Sequence, residues 1–215
     1  MTKNILSALL LLSLSVSTVF AQTNMAPIAK TKNARAEKVV RKYLSGEFDI
    51  DPAHTRVSFI VPHLVISEVE GRFDDVQGVI TIGPKIVGSK FTATVPVTSI
   101  NTGVAKRDEH LRSEDFFDVK KYPEMKFESK TITGTLDNFK MVAALTIKGV
   151  TKDVLFSGTY TGSVKDNQGK ERVGLKATGK IDRRDFNINY SDKIDLGPVV
   201  GNEVEIRIWA EAIKK

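Results

Sequence analysis

The sequence predicts an all-β domain, either a closed barrel or a sandwich, and three observations lead to this fold class. Apolar and polar residues alternate with a period of two in many segments from residue 47 onward, as at 56–61 and 203–211. Short turn signals such as Lys148-Gly149 separate these segments, and no alternation of strands with helices appears. A period of two with one polar face is typical of antiparallel strands that cover a single core.

The strands can be placed along the chain from this alternation. The candidates are 56–61, 68–74, 77–82, 90–97, 124–133, 139–148, 153–163, 173–181 and 203–211. One stretch breaks the pattern, because 101–122 is charged, lacks the period of two and ends at Pro123. The sequence predicts a short helix around 104–112 in this connection, and connections of such length are often functional.

Composition and charge exclude several classes of protein. The chain has 215 residues, of which 41% are hydrophobic and 27% charged, as expected for one globular domain. It has no cysteine, which excludes disulfides, thiolate metal sites and a cysteine nucleophile. The net charge of +6 comes from the N-terminus, because residues 47–215 hold 25 basic and 25 acidic side chains. A neutral body argues against nucleic-acid binding, which needs a basic surface.

The first 21 residues have the three-part layout of a secretory signal peptide. Lys3 precedes an apolar run from Ile5 to Phe20, and Ala21 offers a small residue at the cleavage position. The run is short for a transmembrane helix, which needs about 20 apolar residues. A lipoprotein signal would need a cysteine. We therefore expect cleavage after Ala21 and a periplasmic or secreted protein.

Residues 22–46 form a basic extension with a net charge of +5, from six basic residues and one acidic residue. Its apolar residues follow the spacing of one helical face: Ala36, Val39, Val40, Tyr43 and Leu44. One interpretation is an amphipathic segment that touches an anionic membrane through residues 30–42. The favoured alternative is a short helix packed on the domain, or a solvated linker.

Several segments match a known family in order along residues 47 to 213. The most specific is 107–118, RDEHLRSEDFFD, followed by Tyr122-Pro123. The others are 48–55, 57–59, 63–64, 71–73, Phe127 with Ser129, 145–152, 182–186 and 201–204. Together they resemble the YceI-like family of exported polyisoprenoid-binding proteins. The basic extension lies outside this resemblance.

The resemblance implies an extended, lipocalin-like barrel of eight antiparallel strands, with the helix around 104–112 in a connection. It also implies a non-enzymatic carrier whose ligand is a long-chain isoprenoid, such as a quinone tail or a polyprenyl lipid, or a similar lipid. No further cofactor is expected. Two alternatives stay open: an exported enzyme that acts on a lipid-like substrate, and a ligand-free structural or stress-protective barrel. The oligomeric state is left open.

Candidate ligand-binding residues are those that share the apolar face of each strand. They are Phe59, Val61, Val69, Phe73, Phe91, Val95, Phe127, Phe156, Leu175, Ile206 and Ile208, with Val57 on the same face. The same residues would equally build a solid core, and the alternation alone favours that interpretation. The resemblance reverses the preference, because an eight-stranded barrel is just wide enough to hold one small ligand.

Three polar residues are candidates for contact with a head group. His63 continues the inward parity of its strand, while Arg107 and His110 lie in the most specific motif. Each also has a structural interpretation, as a satisfied histidine or as an ion pair that ties the helix to the barrel. Motifs typical of hydrolases and nucleotide-binding proteins do not occur. The spacing of the three histidines does not favour a zinc site.

Overall fold

A computed structural model describes residues 42–190, 193–194 and 197–215. The predicted signal peptide and the basic extension up to residue 41 lie outside the described residues. No helix in the described part of the chain is long and apolar enough to cross a membrane.

The described residues form thirteen strands, one α-helix and three short 3-10 helices. The strands are β1 (Gly46–Ile50), β2 (Arg56–His63), β3 (Ser67–Phe73), β4 (Gln77–Ile82), β5 (Lys90–Pro96), β6 (Ile100–Asn101), β7 (Glu124–Gly134), β8 (Phe139–Ile147), β9 (Val150–Lys165), β10 (Glu171–Asp182), β11 (Lys193–Ile194), β12 (Gly197–Pro198) and β13 (Glu203–Lys214). Helix α1 is Ala105–Arg112, and the 3-10 helices are Ile86–Gly88, Val97–Ser99 and Arg183–Phe186.

Eight of these strands close into an antiparallel barrel, in the order β1-β4-β5-β7-β8-β9-β10-β13, with β13 pairing back to β1. The predicted eight-stranded barrel is therefore confirmed. Strand β13 is long enough to pair with two successive strands, β1 near Ala212 and β2 near Ile208. Beyond β2, the sheet continues through β3 to β6.

Helix α1 matches the predicted segment 104–112 to within one residue. Asp108, which is 7% exposed, accepts hydrogen bonds from the backbone and the hydroxyl of Thr102 at 2.9 and 2.5 Å. Arg112 donates to the carbonyl oxygens of Thr98 and Ile100 at 3.0 and 2.7 Å. These bonds fix the helix on the strand that precedes it.

One end of the barrel is solidly packed by large side chains. Phe48, Tyr160 and Val173 are at most 1% exposed there. Tyr43 packs edge-on against Tyr160 with ring centroids 5.4 Å apart, and its hydroxyl donates to the carbonyl of Gly83 at 2.7 Å. Burial raises the pKa of Tyr43. We call this end the closed end.

The structure corrects the helical interpretation of the basic extension only at its last positions, because Ala36, Val39 and Val40 lie outside the described residues. Residues 42–45, which include Tyr43 and Leu44, are not helical. The Leu44 amide donates to the hydroxyl of Tyr160 at 3.2 Å, and the Lys42 carbonyl accepts from Ser163 at 2.9 Å. Contacts with the barrel therefore override the helical spacing at Tyr43 and Leu44.

Candidate ligand-binding cavity

The interior of the barrel contains a cavity of about 350 Å³. This volume lies in the range of about 300–1,000 Å³ that small-molecule sites occupy. Its lining is largely apolar and comes from most strands of the sheet, for example Phe91 of β5, Met141 of β8 and Ile206 of β13. The barrel is thus hollow over part of its length.

The wall made by β2 and β13 shows how alternation creates this lining. Val57 pairs with Ile208 and Phe59 with Ile206, so their side chains lie next to each other on the inner face. These four residues are only half-buried although they point inward. Their accessible surface faces the cavity.

Gly71 of β3 has no side chain and therefore leaves room for the ring of Phe59 inside the barrel. The two residues are cross-strand partners, and a Cβ added at Gly71 would lie 2.3 Å from the ring of Phe59. A larger residue at this position would push the ring into the cavity. The glycine is therefore needed for close approach across the sheet.

Arg183 lines the cavity and was missed as a site residue, although it lies in the recognised segment 182–186. It is 4% exposed and donates hydrogen bonds to the carbonyl oxygens of Gly201, Val200 and Ile188, at 2.8, 3.1 and 2.7 Å. Burial lowers its pKa from the usual arginine value. Arg183 joins the segment at 188 to the segment at 200–201.

These two segments mark the end of the cavity opposite the closed end, which we call the mouth. His63, which lines the cavity at the end of β2, pairs with Val200. From the segment at 188, the ring of Tyr190 lies 5.0 Å from the ring of His110 on α1. His63 and α1 therefore lie at the same end.

His110 has partners on two sides at the mouth. Its Nε2 lies 2.8 Å from a carboxylate oxygen of Asp115, and its ring packs edge-on against Phe116 at 5.1 Å. The side chains of His110 and Asp115 are 43% and 52% exposed. The pair is thus accessible from solvent, while the ring also lines the cavity.

Arg107 lies at the same mouth and is tied to the backbone. Its Nε donates to the hydroxyl of Thr102 at 2.7 Å, and Nη2 donates to the Thr102 carbonyl at 2.8 Å. Both residues line the cavity. The guanidinium is held in place by these bonds rather than by the ion pair that the structural interpretation expected.

All fourteen residues named from the sequence line this cavity. They are Phe59, Val61, His63, Val69, Phe73, Phe91, Val95, Arg107, His110, Phe127, Phe156, Leu175, Ile206 and Ile208. Their contact with a ligand stays a prediction.

Sequence reasoning missed the contribution of β8, which supplies Phe139, Met141 and Leu145. Its alternation was visible in the segment 139–148 and could have identified them. Phe116 and Phe117, which lie in the motif 107–118, also line the cavity.

One cluster of acidic and histidine side chains lies away from the cavity. Asp51, His54 and Glu211 bring their ligand atoms within 4.8 Å of one another. Arg172 already lies among them, since its Nη1 donates to Asp51 at 2.7 Å and to Glu211 at 2.6 Å. Its Nε also donates to Asp166 at 2.8 Å. The cluster is an ion-pair network centred on an arginine.

Comparison with known proteins identifies the family. The model of the YceI-like domain matches residues 48–212. The chain belongs to the YceI-like family. Protein YceI of Escherichia coli O157:H7 is 36% identical over 170 residues, which cover 79% of this chain and 86% of that protein.

Solved structures agree with this assignment. The YCEI protein of Campylobacter jejuni is 36% identical, with a TM-score of 0.63 over 72% of this chain and 90% of that one. A polyisoprenoid binding domain from Saccharophagus degradans, implicated in plant cell wall breakdown, is 13% identical, with a TM-score of 0.58. It covers 80% of this chain and 100% of that domain. The second likeness shows the shared fold.

Proposed function

We propose that this YceI-like protein is an exported carrier that holds a long-chain isoprenoid, or a similar amphipathic lipid, in its barrel. The observation that carries the proposal is the cavity, whose lining is apolar along β2, β5, β8 and β13. Burial of hydrocarbon contributes about 0.8 kcal/mol per CH₂ group, so a few isoprene units suffice for binding. The polyisoprenoid binding domain of the same fold supports this class of ligand.

The ligand's head group would lie at the mouth. His63, Arg107 and His110 line the cavity there, whereas the β2 and β13 wall is aliphatic and aromatic. This arrangement orients an amphipathic molecule with its tail inside the barrel. We infer that the protein binds its ligand without transforming it.

The experiment is organic extraction of the purified protein, followed by mass spectrometry. We expect a long-chain lipid at close to one equivalent. Val61→Phe, which fills the cavity, should lower this amount, while Ile60→Phe on the outer face of the same strand should preserve it. Extracts without long-chain lipid would refute the carrier function, and chemical conversion of the bound species would favour the enzyme.

Export and membrane contact are proposed from the N-terminus. N-terminal sequencing of the mature protein should begin at Gln22.

Deletion of residues 22–41 should weaken binding to anionic vesicles, because it removes most of the basic charge and spares Tyr43 and Leu44. This binding should decrease with salt, since the attraction is screened over about 8 Å at physiological ionic strength. Salt-insensitive binding would contradict this role of residues 30–42.

A further inference from the structure

The turn between β2 and β3 carries three successive apolar residues, Leu64, Val65 and Ile66. Val65 is 62% exposed and Ile66 is 80% exposed. Hairpin tips usually carry asparagine, aspartate or glycine, because these residues suit both water and the tight backbone. An exposed apolar tip therefore calls for a physical explanation.

The backbone of this tip makes the choice of residues more unusual. Leu64 and Val65 have φ values of 53° and 65°, and the amide of Ile66 donates to the carbonyl of His63 at 3.3 Å. This is the left-handed backbone of a type I′ turn, which disfavours β-branched side chains such as valine. Neither solvation nor local conformation favours these residues here.

The tip is continuous with the mouth of the cavity. His63, the residue before it, lines the cavity, and the Leu64 amide donates to the carbonyl of Val199 at 2.9 Å. Val104, just before α1, adds an apolar side chain that is 49% exposed, near the cavity-lining Thr102. A ligand that enters or leaves at the mouth passes beside these apolar side chains.

The charges near the tip indicate what kind of surface it fits. The nearest charged residues on the hairpin are Glu68 and Glu70, which are both exposed on β3. Residues 60–70 contain no lysine or arginine that would attract an anionic surface. The tip is thus suited to the hydrocarbon of a neutral bilayer rather than to anionic head groups.

We propose that residues 64–66 insert into a neutral lipid bilayer and dock the mouth of the barrel on it, so that the ligand moves between membrane and cavity without crossing water. This inference rests on the proposed carrier function, because an isoprenoid resides in a bilayer. Three aliphatic side chains bury less hydrocarbon than one myristoyl chain, which by itself gives only marginal, reversible binding. Docking is therefore transient, as delivery and pick-up require.

The absence of cysteine from the chain allows a local test. Ile66→Cys and, as a control, Val164→Cys are each labelled in the full chain with a polarity-sensitive fluorophore. Val164 is 63% exposed on β9 and lies near the closed end, beside Arg172. With phosphatidylcholine vesicles in high salt, we expect a blue shift of the emission from position 66 and none from position 164.

A second variant measures the consequence for transfer. Val65→Asn replaces the exposed valine with a residue that tolerates the left-handed backbone, so the fold is preserved. The rate of isoprenoid transfer between phosphatidylcholine vesicles should fall about tenfold, as expected when an aliphatic group is withdrawn from hydrocarbon. Val164→Asn should transfer at the wild-type rate.

Two outcomes would overturn the docking proposal. One is an unshifted probe at position 66 in the presence of vesicles. The other is a blue shift that grows with protein concentration and needs no vesicles, which would assign the tip to a second copy of the chain. A shifted probe in a protein whose extracts hold no lipid would leave docking supported and would refute only the carrier function.

Discussion

The closed end and the cavity wall of the barrel are built from the same alternating pattern, yet one is solid and the other is hollow. At the closed end, Phe48 and Tyr160 are fully buried. On the cavity wall, Phe59, Ile206 and Ile208 are half-buried while pointing inward. A period of two therefore decides which side chains face the interior, but it does not decide whether the interior is filled.

Two local features explain the difference. At the closed end, the segment of Tyr43 and Leu44 crosses the barrel base and packs on Tyr160. At the other end, β2 takes the place of β1 beside β13 and forms a hairpin with β3, and α1 lies at the mouth. The strands there enclose the cavity, and their side chains do not fill the interior.

The largest effect should come from a charge placed on the cavity wall. Phe91, which is 8% exposed, lines the cavity, whereas its neighbour Lys90 faces outward and pairs with Glu128 at 3.0 Å. Phe91→Glu buries an unpaired carboxylate and should either unfold the barrel, at a cost of several kcal/mol, or abolish lipid co-purification. Lys90→Glu should do neither. Circular dichroism and lipid extraction measure the two outcomes.

The reverse result would be informative about this strand. If Phe91→Glu folds with full lipid content while Lys90→Glu loses its lipid, the inner and outer faces of β5 are the reverse of those assigned here. If neither variant changes the lipid content and wild-type extracts are free of lipid, the barrel does not act as a carrier.

Truncations at the closed end and on the cavity wall should lower the free energy of unfolding by different amounts. Phe48→Ala removes a fully buried ring from the closed end and should lower the free energy of unfolding by about 3–5 kcal/mol. Phe59→Ala should cost less than about half of this, because the ring already faces the cavity. Urea denaturation measures both. Equal costs would show that the cavity wall is as tightly packed as the closed end.

Much of the fold could be predicted from the sequence because strand alternation is a local signal. Each predicted strand is present, and the helix around 104–112 is α1. The count of eight came from family resemblance, since alternation cannot show that β1 and β2 share one edge of β13. The helical spacing at Tyr43 and Leu44 predicted the wrong conformation for these two residues, because tertiary contacts with Tyr160 determine it.

The candidate site was predictable where residues share the parity of a strand. Phe59, Val61 and His63 all line the cavity, as their spacing on β2 requires. Arg183 was not assigned to it, because its position depends on carbonyl groups far along the chain, at Val200 and Gly201. Such long-range backbone contacts leave no pattern in the sequence.

A smaller effect is expected from acid at the ion-pair network near the closed end. A hydrogen bond with Arg172, and a smaller contribution from one with His54, hold the pKa of Asp51 at about 2, below its ordinary value of 3.8. This carboxylate therefore contributes stability that is fully present above pH 3.8 and is lost as the pH falls through about 2. In urea denaturation along this range, Asp51 should account for about 1–2 kcal/mol of the loss of stability.

The matched variants for this prediction are Asp51→Asn and Asp153→Asn. Asp51→Asn should be less stable at neutral pH and should lose less stability on acidification, since the titrating group is gone. Asp153 forms an exposed pair with Lys130, so Asp153→Asn should follow the acid profile of the wild type. An unchanged acid profile in Asp51→Asn would assign the acid sensitivity to other carboxylates.

The smallest effect compares one substitution at the two ends of the barrel. Val65 at the mouth has a φ of 65°, where asparagine is tolerated better than valine, so Val65→Asn should raise the free energy of unfolding by about 1 kcal/mol. Val164 is equally exposed but lies in β9, where valine is favoured over asparagine, so Val164→Asn should lower it by a few tenths of a kcal/mol. Thermal denaturation of both variants gives the signs. A stability gain at Val65 together with slower lipid transfer would indicate that the valine is retained for contact with a membrane, whereas a loss at Val65 would show that its side chain stabilises the hairpin.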